Sequence, residues 1–366
     1  MTFMLRPTMS YRAIELDVPA GWLGAIAASF AIVPLILAIP VGHMADRYGE
    51  HRVARAGSVL LILCALCFAL LGHSVPGLVM GGLLLGAGHL GCVVGQQALV
   101  ANTTERGRFD AAFGHYTFVA SIGQAAGPVL ISAAGRGGPI PDTQLIFWWA
   151  CGLSVLLTLF ALPLAASARG SVVDRGASSG LGELIRRPGL MRALLTSCIV
   201  LSAVDITLVY LPALGADRGL AAGTVGALLA ARGIASMVSR LFLGRLASAV
   251  GRRRLLVTST IAAATALLIT PLPVPVWVLA VLLVVAGFGL GVGQPLTMSW
   301  LAEAAPPGQR GRAMSLRLMG NRTGQVIIPS AAGLVAAGLG AAGVLWATAL
   351  GLGWAGVAAR RLPSDQ

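Results

Sequence analysis

Asp205 is the one acid that the sequence places deep in an apolar run, and Arg232 is the basic residue best placed to meet it. A charged side chain at the centre of a bilayer costs about 2.5–3.5 kcal/mol on insertion scales, so it has to face protein or water and find a partner. Counted from Asp217 in the turn between the two runs, Asp205 lies 12 residues back and Arg232 15 residues on. At about 1.5 Å per residue the two depths differ by roughly 4 to 5 Å, which an arginine side chain spans. The pair is either a fixed ion pair that ties two helices together or a site for a proton or a substrate.

Other polar residues fall at helical spacing around it. Arg232, Ser236 and Arg240 recur at i, i+4 and i+8, a stripe on one helix face. Arg317, Asn321 and Gln325 form a second stripe, with Arg322 one residue round from Asn321 and roughly 15 to 18 Å in from the helix end. An arginine at that depth lines a cavity or hydrogen-bonds to the carbonyls of neighbouring helices. Arg6, Gln96 and Gln294 complete the set of candidates for binding substrate or protons; the two neutral amides serve equally to bind a solute or to cross-link helices.

Several chemistries are excluded. All 26 basic residues are arginine, so a phosphate-binding loop of the Walker type and a Schiff base to pyridoxal phosphate or retinal both lack their lysine. There is no H-E-x-x-H metal motif, the single G-x-S-x-G string, Gly176 to Gly180, falls in the Ser-, Gly- and Arg-rich stretch 167–191 and not between a strand and a helix as a nucleophile elbow requires, and His89 and His115 have no partner at ligand spacing. Cys64 and Cys67 have the C-x-x-C spacing, but in an apolar helix they read as small core residues. The expectation is a protein with no metal, no cofactor and no enzyme activity.

The elements that carry these residues are long and apolar. With 57% apolar and 11% charged residues, the chain is a membrane protein. A hydrocarbon core of roughly 30 Å needs about 20 apolar residues per helix. Such spans fall at residues 21–41, 56–73, 77–101, 111–134 and 146–166, and again at 192–214, 222–243, 255–271, 276–301, 313–335 and 341–359. The net charge of +13 is sorted by side: with residues 42–55 assigned to the cytoplasm, only Arg12, Arg136 and Arg218 fall in loops on the opposite side. This positive-inside pattern puts the C-terminus in the cytoplasm and argues against nucleic acid as the partner of the charge.

Residues 42–55 read as a short charged loop between two spans, and the spacing returns once, in Gly244, Gly251 and Arg252 to Arg254. Gly42, Asp46, Arg47, Gly49 and Arg52 resemble the loop between helices 2 and 3 of the major facilitator superfamily of secondary transporters. Glu50 and His51 stand where that family usually has basic residues, and Ser248 replaces the acid in the second copy. The chain also repeats itself. Gly42 matches Gly244 (202 apart), Gly95-Gln96 matches Gly293-Gln294 (198), Arg106-Gly107-Arg108 matches Arg310-Gly311-Arg312 (204), and Gly123-Gln124 with Pro128 matches Gly324-Gln325 with Pro329 (201). Two parallel six-helix halves follow: residues 1–166, a cytoplasmic linker over 167–191, and residues 192–366. By the same offset, residues 1–10 stand opposite 203–212, so helix 1 reads as truncated, with a translation start expected upstream.

The resemblance implies an all-α polytopic membrane protein of the major facilitator fold. It implies a contact between Asp46 and the start of helix 11, here Arg310 to Arg312, that gates the inner side, and a central cavity lined by the helices of Gln96 and Gln294. Gly123-x-x-x-Gly127-Pro128 resembles the helix 5 signature of the family's exchangers, although Ile131 and Ser132 replace its glycine pair. The expected function is secondary active transport of a small organic solute through the plasma membrane, coupled to protons and directed to efflux. Uptake or exchange of an anionic metabolite is the runner-up, and a non-transporting receptor or inactive truncated product the third reading. Lipid, the solute and protons are the expected partners, with no obligate protein partner.

Overall fold

The computed structural model describes residues 1–18, 20–105, 107–134, 141–164, 190–220, 222–306 and 308–360. Every regular element among them is a helix: α1 (Thr2–Glu15), α2 (Ala20–Tyr48), α3 (Glu50–Leu71), α4 (Val75–Thr103), α5 (Phe109–Ala133), α6 (Thr143–Ala161), α7 (Leu190–Asp217), α8 (Ala222–Leu241), α9 (Leu243–Val250), α10 (Arg252–Ile269), α11 (Val276–Ala304) and α12 (Arg310–Ala359). The last runs together the two spans expected at 313–335 and 341–359, which meet at a kink where Gly340 has φ 63°. Seven helices among the described residues are long and apolar enough to cross a membrane. The linker expected at 167–191 lies almost wholly outside the described residues, as does Arg106.

All-helical structure follows from the solvent. A bilayer offers no partner for a backbone N–H or C=O, and a helix satisfies both within itself. The same rule explains how α1, α2, α5, α7 and α11 carry interior prolines, among them Pro34, Pro128, Pro212 and Pro295, since packed neighbours re-satisfy the freed carbonyls.

One compact unit comprises residues 1–103, 119–177 and 306–319. Its core joins Met4, Phe30, Phe68, Leu85 and Phe147, with the Phe68 and Phe147 rings stacked 5.1 Å apart. Helices α3 and α4 meet through small residues: a Cβ on Gly95 would lie 2.7 Å from the Glu50 carbonyl oxygen, and one on Gly88 3.0 Å from that of Gly57. This is the close helix approach that glycine permits in membranes. Helix α1, 14 residues long, is held by Arg12, which donates to the Gly72 carbonyl at 3.1 Å and to Glu15 at 2.8 Å.

The second unit comprises residues 104–118, 178–305 and 320–366. Its cores gather Val200, Ala263, Leu267, Leu290 and Leu352, and further along Leu211, Leu228, Leu283 and Leu345. Helix α11 packs on α8 through Gly287 and Gly291, whose Cβ atoms would stand 2.9 Å from the Arg232 Cα and 2.8 Å from the Ser236 Cα. That approach fixes which side of α8 meets α11.

The structure corrects the reading of residues 42–55 as a loop. Helix α2 continues to Tyr48 and α3 begins at Glu50, so the connection is Gly49 alone, with φ 96°. In the second copy α8 bends by 67° into α9, and Gly251, with φ 85°, again makes the connection to α10. Both positions need a left-handed backbone, which glycine adopts without strain.

Candidate functional site

At the end of α2, Asp46 caps the start of α12. Its two carboxylate oxygens accept from the backbone N–H of Gly311 at 2.7 Å and of Arg312 at 3.0 Å, and the Arg312 guanidinium stands 3.4 Å away. A carboxylate at a helix N-terminus satisfies orphan N–H donors and meets the positive end of the helix dipole. Gly42, one turn earlier, lets the helices close: its Cβ would lie 2.8 Å from the Gly311 carbonyl oxygen. Arg310 donates to the Ala101 carbonyl, and the fully buried Arg317 donates to Gln97 at 2.9 Å. Glu50, also buried, accepts from Asn102 at 3.4 Å. Arg47 and Arg52 are exposed and join none of this; Arg47 lies over the Tyr48 ring at 5.3 Å.

The second copy is built from different charges. Arg252, at the start of α10, pairs with Asp110 of α5 and with Glu303 at the end of α11. Burial disfavours its charge, but Asp110 and Glu303 outweigh that and hold its pKa above the ordinary arginine value. Gly244 packs against α5, where its Cβ would lie 2.7 Å from that of Ala111.

Inside the second unit lies a polar lane. Arg232 and Arg240 are buried, and the Asp205 carboxylate attracts the Arg232 guanidinium. Arg240 donates to the Gly291 carbonyl and to Gln294, each at 3.4 Å. Asn321 is buried and accepts from Ser197 at 3.1 Å, and Arg322 beside it is half-buried. The side chain of Gln325 lies outside the described residues. In the first unit Arg6 is exposed and lies over the Phe30 ring at 4.8 Å; Phe30 in turn packs on His89, with centroids 5.5 Å apart, and His89 hydrogen-bonds to Thr2 at 3.1 Å.

The structure thus joins Gly42 and Asp46 to Gly311 and Arg312, turns Arg310 to the Ala101 carbonyl instead, and joins Arg232 to Asp205 and Gln294 to the stripe of α8. It separates the stripe of α12: Arg317 belongs with Gln97 of the first unit, and Asn321 with Ser197 of the second. Sequence reasoning missed Gln97, Asp110 and Glu303. The repeat signal selected Gln96, which is half-buried beside the buried Gln97. Matching the starts of α5 (Phe109) and α12 (Arg310) gives an offset of 201, not the 204 of the Arg-Gly-Arg match. In that register Gly107 and Gly308 correspond, with φ 88° and 83°, and Asp110 takes the place of Gly311.

A sequence profile described as the Major Facilitator Superfamily matches residues 1–220 and again residues 194–365. Among solved structures, the E. coli fucose:proton symporter FucP is similar at TM-score 0.82 with 17% identity, over 99% of this chain and 97% of that one. The proton:xylose symporter XylE bound to 6-bromo-6-deoxy-D-glucose gives 0.80 with 14% identity, over 97% and 90%. The human organic anion transporter MFSD10 (TETRAN) gives 0.73 with 18% identity, over 97% and 89%. No curated protein sequence matches the chain.

Proposed function

Because this chain belongs to the major facilitator superfamily and is therefore a multi-pass membrane transporter rather than an enzyme, we propose that it moves a small organic solute by alternating access, driven by protons that load at Asp205. The observation that carries this reading is the attraction between Asp205 and the buried Arg232, an acid and a base within two apolar helices. Ionisable groups at that depth are costly and mark ion and substrate pathways. Two of the solved structures with this fold are a fucose:proton symporter and a proton:xylose symporter, which adds support from outside the chain.

Asp46 on the start of α12 is the gate. Making that contact closes the side of the membrane that bears residues 42–55, and breaking it opens that side. By the arginine distribution this is the cytoplasm, with the protein in the plasma membrane and the C-terminus inside. The two sequence halves 1–166 and 192–366, joined by residues 167–191, are the bodies that this reading of alternating access requires.

Two observations bear on the cargo. The glycine spacing of α5 supports efflux, yet Gly127 has a packing reason for being glycine, since its Cβ would lie 2.8 Å from the Phe3 carbonyl oxygen. The buried arginines support uptake or exchange of an anionic metabolite, and that reading rests on more residues. Proton uptake into proteoliposomes, measured with a mixed set of small organic solutes outside, tests the function. Solute-dependent flux that Asp205→Asn abolishes is the expected result; flux that persists in Asp205→Asn would move the coupling elsewhere.

A further inference from the structure

Arg232 is only 6% exposed, yet its Nε is buried with no hydrogen-bond partner among the described residues. A guanidinium presents five N–H donors and accepts nothing, and a buried donor without a partner costs about 1–3 kcal/mol, more when charged. Helix α11 pins the backbone here, through Gly287 against the Arg232 Cα, so the side chain is directed by the fold. Around it the second unit holds an excess of positive charge. Arg240, two turns along the same face, is repelled by Arg232, and the acceptors at Gly291 and Gln294 are neutral. The charged residue of α11 is Glu303, which is engaged by Arg252. Asp205, half-buried on α7, is the carboxylate that acts on Arg232.

We propose that Arg232 binds an oxyanion of the cargo, a carboxylate above all, and that Asp205 is the exchangeable counterion which the cargo displaces. A planar guanidinium matches a carboxylate with two parallel hydrogen bonds, and the Arg232 Nε is a donor available for one of them. While Asp205 is ionised it competes with the cargo for Arg232. When Asp205 takes a proton from the loading side, the attraction ends and the Arg232 charge is satisfied by the anion instead. On the far side the anion leaves, Asp205 returns its proton to solvent, and the original pair re-forms. Proton and anion therefore travel in the same direction, and a monoanion crosses with no net charge. This assignment of cargo and coupling order rests on the reading of Asp205 as the proton site.

Thermal unfolding of the purified full chain in detergent tests it, at constant ionic strength, with gluconate, succinate and inorganic phosphate as anions, glucose as a neutral probe and tetraethylammonium as a cation. The expected result is stabilisation by anions alone, with an apparent affinity that falls about tenfold per pH unit once Asp205 is ionised. Phosphate without the two carboxylates would still place an oxyanion at Arg232 and would identify it as inorganic. Asp205→Asn should bind the anion equally well between about pH 5.5 and about pH 7.5, and Arg232→Gln should lose the binding. Stabilisation by glucose or tetraethylammonium instead, by none of the probes, or by anions with no pH dependence in the unaltered protein would overturn the proposal without needing a variant. Loss of anion binding in Asp205→Asn would overturn the displacement step. If proton flux in proteoliposomes still requires Asp205 while anions fail to bind, the transport reading stands and only the anion site falls.

Discussion

Glu50 and Arg252 begin matching helices 202 residues apart and carry opposite charge. Each follows a glycine of positive φ, and each meets the end of a neighbouring helix: Glu50 accepts from Asn102, and Arg252 donates to Glu303, 201 residues further on. The acid missing at Ser248 reappears across the contact as Asp110, in the place of Gly311. One copy therefore offers a carboxylate to backbone N–H groups, and the other offers a guanidinium to carboxylates. The backbone plan is shared while the electrostatic sign is inverted, so the two contacts respond differently to substitution.

Asp46→Ala removes the cap of α12 and its charge. A lost N-cap costs about 0.5–2 kcal/mol, too little to prevent insertion of so many apolar helices. Transport should fall severely while the amount of protein in the membrane stays normal, with Asp46→Asn milder because its amide oxygen still accepts one bond. Quantitative transport assays normalised to membrane protein check this, and unchanged transport in Asp46→Ala would remove the gate.

Gly42→Leu should act at the same contact by steric means. A side chain there meets the Gly311 carbonyl oxygen and the Ser315 Cβ, neither of which can withdraw by a side-chain rotation. The helices have to part, so the variant should lose transport as Asp46→Ala does, and the double variant should be little worse than either alone. Additive losses would show that the two residues do not serve one contact.

Arg252→Met leaves Asp110 and Glu303 facing each other without the shared cation. Breaking a buried pair from one side costs about 3–5 kcal/mol, read as a marked drop in the unfolding temperature. The pH dependence has a definite sign. Because the pKa of Arg252 is raised in the folded state, its contribution is fully present below the unfolded arginine value and is lost only as pH rises through the higher folded value. The Arg252 contribution thus holds steady up to about pH 9. Arg252→Met combined with Asp110→Leu should recover much of the loss. A double variant no more stable than Arg252→Met would argue against carboxylate repulsion as its cause.

Arg317 and Gln97 offer a separate test, because the bond joins two fully or nearly fully buried side chains. A hydrogen bond to a charged group contributes about 1.5–3 kcal/mol. Gln97→Leu and Arg317→Met should each destabilise, and the double variant should destabilise by less than the sum. The coupling in that cycle, measured by thermal unfolding, should exceed the cycle for Gln96 with Arg317, which is expected near zero.

Much of this was legible in the amino-acid order. Glycines at fixed intervals beside Asp46 and the arginines marked the ends of α2 and α9, because a positive φ and a close helix approach leave few alternatives to glycine. The family resemblance led correctly from Asp46 to Arg312. Side-chain azimuth was harder to read. Gln96 and Gln97 differ by about 100° around α4, and a helix made largely of glycine and leucine has no polar face to say which one turns to Arg317. Asp110 and Glu303 were passed over because an acid near a helix end ordinarily meets water; only their common partner, 142 residues from Asp110 and 51 from Glu303, makes them structural. The charged segment 42–48 read as loop from its polarity, yet nothing in it stops a helix before Gly49.

Joining two long helices by one glycine leaves no slack. Helix α2 cannot swing at Tyr48 without dragging the first turn of α3, and α9 stands in the same relation to α10. Each pair is a stiff bracket rather than two rods on a string. If the proposed gate opens by withdrawal of Asp46 from α12, the movement is that of a lever whose other arm is α3, with its stroke delivered along the glycine seam with α4.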